Sequence, residues 1–128
     1  MEIQQVVPVL RIFNYEKVKE FYVDWLGFKI EWEHTFAEGM PIYMEVSLGG
    51  KVLQLSEHHG DCSAGARVFL ECTGLKEYHR MLLDKNYKYN KPGIGMAPWG
   101  GNALVMEVLD PFGNKIVLKK ASNKKTAV

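Results

Sequence analysis

Apolar and polar residues alternate with a period of two along much of the chain. The stretches are VPVLRI (7–12), FKIEWEH (28–34), PIYMEVSL (41–48), KVLQLSE (51–57), RVFLEC (67–72), YKYN (87–90), ALVMEVL (103–109) and KIVLKK (115–120). Such alternation predicts strands with one apolar face. Two segments break it with helical spacing: Tyr15, Val18, Phe21, Tyr22, Trp25 and Leu26, then Leu75, Tyr78, Met81 and Leu82. Asn14 is placed to cap the first helix and Gly27 to end it. The second stops near Asn86. Gly49-Gly50 between alternating runs predicts a hairpin.

The two helices belong to a faint internal repeat. Leu10 and Leu70, Asn14 and Gly74, and Asp24 and Asp84 are each sixty residues apart. Each half reads β-α-β-β-β, an α+β domain with a mixed sheet and helices on one face. The modules run from 5 to 57 and from 67 to 119, joined by a linker at 58–66 and followed by a polar, lysine-rich tail at 120–128. One sheet face is almost wholly apolar: Pro8, Leu10, Ile12, Ile42, Met44, Val46, Leu53, Leu55, Val68, Leu70, Cys72, Leu104, Met106, Val108, Ile116 and Leu118. The opposite face mixes Val7, Val9, Arg11, Tyr43, Glu45, Gln54, Ser56, Arg67, Phe69, Glu71, Glu107, Lys115 and Val117. Apolar patches among a few polar groups are what small-molecule sites are made of.

Composition narrows the classes. The 128 residues carry a net charge of +1, with 47% hydrophobic and 24% charged residues. This fits one globular domain and gives no strong field for nucleic acid or an anionic membrane. No apolar run reaches the ~20 residues of a membrane span, and the start reads without a signal peptide. The two cysteines fit a reduced, cytoplasmic protein.

The stretch SEHHGDC (56–62) gathers several metal-binding side-chain types. Adjacent histidines at a strand end point apart unless the chain turns sharply, so a structured or solvated linker is expected, with His58 or His59 at the edge of a groove as the other reading. Cys62 beside them does not make a Cys-His pair by adjacency alone. GIGMAPWGG (93–101) opens no helix and lacks the Lys-Ser/Thr of a phosphate loop. DPFGN (110–114) reads as a turn.

The paired modules, together with VPVLRIFNYEKVKEFYVDWLGF and PWGGNALVMEVLDPFGNKIVL, resemble the vicinal oxygen chelate superfamily of glyoxalase I, extradiol dioxygenases and bleomycin-resistance proteins. The VPVL start and PWG resemble the bleomycin-resistance branch. The resemblance implies that the superfamily's metal-ligand positions fall on Val7, Gln54, Arg67 and Val117. It therefore implies a binding protein with no catalytic residues, no metal and no cofactor. Such proteins are homodimers that hold a cationic antibiotic in a groove between subunits, with aromatic side chains stacked on it. The ligand-binding residues expected here are Trp99, Phe36, Tyr43, Glu45, Gln54, Arg67, Phe69 and Glu107. Trp99 also reads as a dimer-interface anchor. The chain is neutral where bleomycin binders are acidic, so another aromatic or amphipathic ligand fits as well. The alternative is a metal-dependent lyase, isomerase or dioxygenase with a displaced site drawn from His34, Glu45, Gln54, His58, His59 or Glu107.

Overall fold

A computed structural model describes residues 1–121. It forms two compact units: Met1–Ala66 together with Asp110–Asn114, and Arg67–Leu109 together with the segment from Lys115 onward. In the first unit the order is β1 (Val9–Arg11), α1 (Tyr15–Val18) continuing as a π-helical stretch (Lys19–Trp25), β2 (Lys29–His34), β3 (Tyr43–Leu48) and β4 (Lys51–Ser56). The sheet order is β1-β4-β3-β2, with β1 parallel to β4 and the other pairs antiparallel. In the second unit β5 (Arg67–Cys72), α2 (Leu75–Asp84), β6 (Gly95–Met96), β7 (Leu104–Leu109) and β8 (Lys115–Lys120) repeat this plan, in the order β5-β8-β7-β6. The helices begin at Tyr15 and Leu75, in the register of the sequence repeat.

Asn14 caps α1 as expected: its Oδ1 accepts the Lys17 N–H at 2.9 Å. Beyond Val18 the helix widens, and the Leu26 N–H donates to Phe21 O, five residues back. An apolar stripe over so short a stretch does not distinguish 3.6 residues per turn from a wider turn. Phe21, Tyr22, Trp25 and Leu26 are buried all the same, and each such side chain contributes about 1.5–3 kcal/mol. Gly27, at φ +90°, ends the helix. Gly49 and Gly50 both have positive φ in the β3–β4 turn, the geometry that matches strand twist.

The apolar face lies inside as expected: Leu10, Ile12, Met44, Val46, Leu53, Leu55, Met106, Val108, Ile116 and Leu118 are buried. Other expectations are corrected. YKYN is not a strand. Asn86 ends α2 at φ +52°, and side chains then hold the following loop: Asn90 Nδ2 donates to Leu109 O at 3.0 Å, and His79 Nε2 lies 2.8 Å from Pro92 O. The second strand of this unit is instead the two-residue β6, inside a segment that reads as loop. Met81, expected in the buried stripe of α2, is 41% exposed. Ser56 and Val117 lie on the mixed face as expected, yet both are buried. Lys120 still belongs to β8, and the Ala121 N–H donates to Cys72 O at 2.7 Å. The remainder of the expected tail lies outside the described residues.

The DPFGN turn is a buried polar hub of the first unit. Asp110 Oδ1 accepts the N–H groups of Phe112 and Asn114, and Oδ2 accepts the Tyr22 hydroxyl at 2.6 Å and Asn114 Nδ2 at 2.9 Å. Asn114 Nδ2 also donates to Arg11 O, while Oδ1 accepts the N–H groups of Gly65 and Ala66. Both side chains satisfy their hydrogen-bonding capacity away from water, as buried polar groups must. Burial and the Asp110 carboxylate push the Tyr22 hydroxyl well above its ordinary pKa.

Candidate functional site

The mixed face of the first unit is set by register. Val9, Gln54, Glu45 and Trp32 lie side by side across β1, β4, β3 and β2, and Arg11, Ser56, Tyr43 and His34 form the next row. An irregularity between Ile30 and Trp32 makes this possible. Without it, alternation from Ile30, which pairs with the buried Val46, would put Trp32 on the apolar face; the extra residue turns Trp32 and His34 toward Tyr43 and Glu45. Trp32 stacks on Tyr43, with ring centroids 5.9 Å apart and planes within 8°. The Tyr43 hydroxyl donates to Gln54 Oε1 at 2.5 Å, and Gln54 Nε2 donates to Glu45 Oε1 at 3.0 Å. Burial raises the Tyr43 pKa first, then the nearby Asp61, Cys62 and Glu45, so the phenol stays a donor.

SEHHGDC closes one end of this face and is not a metal cluster. Ser56 Oγ donates to Asp61 Oδ2 at 2.6 Å and accepts the His58 N–H at 3.0 Å. Glu57 Oε1 accepts the Ile42 N–H at 2.8 Å. The chain does turn sharply here, and the Asp61 N–H donates to His58 O. The His58 ring then meets Phe36 edge-on at 6.0 Å and Tyr43 at 6.5 Å, and His34 meets Phe36 at 4.8 Å. Burial and Asp61 raise the Cys62 thiol pKa, and Arg11 lowers it in part. The net upward shift leaves Cys62 a poor nucleophile. Both cysteines are free.

In the second unit Arg67, Phe69, Trp99 and Glu107 come together. The Arg67 guanidinium lies 4.8 Å from the Phe69 ring centroid and 5.6 Å from that of Trp99, and the two rings meet at 5.8 Å. Glu107 lies 3.6 Å from Arg67 Nη2 and 4.0 Å from Lys115 Nζ, and Lys119 pairs with Glu71 at 3.5 Å. Trp99 and Phe69 remain 53% and 47% exposed. Of the expected residues, Tyr43, Glu45 and Gln54 are thus joined in one unit, with Phe36 reaching them through His58. The other four form the cluster of the second unit. Trp32 was missed, and His34 was expected only as a member of a displaced metal site, because their side depends on an irregularity that alternation does not signal.

The positions that the resemblance assigns to metal ligands do not fit a metal. Val7 and Val117 have no lone pair, and Arg67 is a fixed cation. Both ends of the Gln54 amide are already engaged. Among the described residues no three His, Cys, Asp or Glu side chains converge on a point that could hold an ion.

Two mixed four-stranded sheets of repeated β-α-β-β-β topology define the class: a paired-module α+β fold. The profile described as "Glyoxalase superfamily protein" matches residues 1–125, and the chain belongs to that superfamily. Solved structures share the fold. A bleomycin-binding protein complexed with bleomycin is 20% identical with a TM-score of 0.68, over 94% of this chain and 100% of that one. A bleomycin resistance determinant encoded on the transposon Tn5 is 19% identical with a TM-score of 0.71, over 94% and 99%. TnmS3, an antibiotic binding protein from Streptomyces sp. CB03234, is 23% identical with a TM-score of 0.69, over 95% and 99%. No curated protein matches the chain. Among the described residues no helix is long and apolar enough to cross a membrane.

Proposed function

We propose that this chain is a metal-free, cytoplasmic small-molecule binding protein of the bleomycin-resistance type, acting as a homodimer that sequesters an aromatic, antibiotic-like ligand. The observation that carries the reading is the set of unburied aromatic rings beside charged groups on the mixed sheet faces. Trp99 and Phe69 flank Arg67, which pairs with Glu107, and Trp32 and Tyr43 stack beside Glu45, with Phe36 against His34 and His58. Large flat side chains left open to solvent give a ligand contact area at low entropic cost. The named neighbours that bind bleomycin or an antibiotic support the reading by analogy of fold.

Titration of the purified protein with bleomycin, followed by tryptophan fluorescence, tests it. A saturable quench that weakens in Trp99→Phe is expected. Sedimentation gives the oligomeric state, and a dimer is expected. A stoichiometric divalent metal in protein purified without added metal, lost together with a measurable lyase or dioxygenase activity in Glu107→Ala, would overturn the reading. So would the absence of saturable binding for bleomycin and for a panel of other aromatic antibiotics.

A further inference from the structure

A cleft of about 300 Å³ opens in the first unit, lined by none of the residues named above as ligand contacts. Its walls are the end of β1 (Arg11, Ile12, Phe13), the turn at 39–41, and Glu57. Arg11 lays its guanidinium over the Phe13 ring, 4.7 Å from the centroid. Its Nη1 is buried and has no hydrogen-bond partner among the described residues. No ion pair there involves Arg11 either, in contrast to Arg67, which has Glu107.

A buried charged donor without an acceptor is costly, and native structures leave few of them. Glu57, which also lines the cleft, does not supply the acceptor: its Oε1 accepts the Ile42 N–H, and among the described residues it forms no ion pair with Arg11. Two large apolar side chains at the cleft, Phe13 and Met40, are exposed. Water reaching the half-buried guanidinium would solvate its charge but would leave Phe13 and Met40 uncovered.

We infer that the cleft is an anion site, which takes the carboxylate of a small amphipathic acid on Arg11 while the apolar body of that acid lies against Phe13 and Met40. Glu57 on the other wall disfavours a second acid group, so the ligand is a monoanion. Planar guanidinium N–H groups match a carboxylate in charge and geometry.

The test uses 2-naphthoate, its neutral isostere 2-naphthamide, and inorganic phosphate. Each is titrated into the full-length protein by calorimetry, with backbone amide NMR shifts to locate it. Naphthoate is expected to bind roughly tenfold or more tightly than the amide, with shifts centred on residues 11–13 and 39–42. Arg11→Gln is expected to bring the two affinities together. Because the buried nitrogen has no protein partner, Arg11→Met is expected to leave the melting temperature unchanged or raise it. Equal affinity for naphthoate and naphthamide in the parent protein would overturn the assignment. A preference for naphthoate that survives in Arg11→Gln would do the same. Phosphate binding as tightly as naphthoate would remove the apolar-body part. A melting temperature several degrees lower in Arg11→Met, with no preference for naphthoate, would make Arg11 a structural residue only.

Discussion

The two units share a strand order and start their helices sixty residues apart, yet they are finished differently. The first has a side-chain-capped helix with four large apolar residues buried between Phe21 and Leu26, a six-residue β2, and a hydrogen-bonded row from Tyr43 through Gln54 to Glu45. The second starts its helix at Gly74, which has no side chain to cap with, and buries only Leu75 and Leu82 from it. Its second strand, β6, is two residues long, and ion pairs spread over its mixed face. Backbone pairing and the apolar face preserve the plan, while the solvent-side face is free to change chemistry. Two of the positions that the resemblance assigns to metal ligands, Gln54 and Arg67, lie on that mixed face.

The largest effect expected from breaking this contrast is at the DPFGN hub of the first unit. Asn114→Ala removes the partners of Asp110, of Arg11 O and of two backbone N–H groups, all in or near buried surroundings. A loss of about 3–5 kcal/mol is expected in urea unfolding. A loss under about 1 kcal/mol would show that water replaces the network.

The helices offer the next comparison. Trp25→Ala should cost about 3–5 kcal/mol, and Met81→Ala, on the exposed side of α2, within about 0.5 kcal/mol. Chemical denaturation midpoints of the two variants measure the difference directly. Similar losses would mean that α2 is as deeply packed as α1.

Alkaline pH probes the first unit's buried phenol. The folded protein holds the Tyr22 proton more tightly than an unfolded chain, whose tyrosine titrates at the ordinary value of 10.0. The stability this contributes is complete below that pH and is lost as pH rises above it. Urea midpoints should therefore fall above about pH 10, and Tyr22→Phe should flatten the slope. Part of the slope will remain, because Tyr15, raised to about 12 chiefly by its hydrogen bond to Glu33, shifts in the same direction. Tyr43 and Tyr78 are raised as well, first by burial.

The smallest effect belongs to the second unit's surface. Lys119→Ala breaks the pair with Glu71 and should change stability by about 0–1 kcal/mol. The change should shrink further in 1 M salt. A larger, salt-resistant loss would show that this face is not solvated in the way its ion pairs suggest.

How much of this was legible in the chain differs from element to element. Tyr15–Trp25 was readable because an apolar stripe, a capping Asn14 and a stopping Gly27 all agree. YKYN misled because alternation without a neighbouring strand to pair with is not a strand; the Asn90 N–H donates back to Tyr87 O, and side-chain contacts join Asn90 to Leu109 O and His79 to Pro92 O. In SEHHGDC the residue types suggested a metal, but Ser56, Glu57 and Asp61 spend their oxygens on the turn and on Ile42. The cluster of Arg67, Phe69, Trp99 and Glu107 was legible in its members because three lie on alternating strand positions of one face.

The sequence by itself determined the repeat, the apolar face, the helix caps, the family and the residue types at the metal-ligand positions. All of these rest on local periodicity or on identities at fixed positions. Only the tertiary structure decided that Trp32 and His34 join Tyr43 on the mixed face, because one irregular residue in β2 reverses the side of everything after it. Only it showed Arg11 with a buried nitrogen that has no hydrogen-bond partner among the described residues. Whether a charge is paired depends on residues distant in the chain, and no local pattern records it.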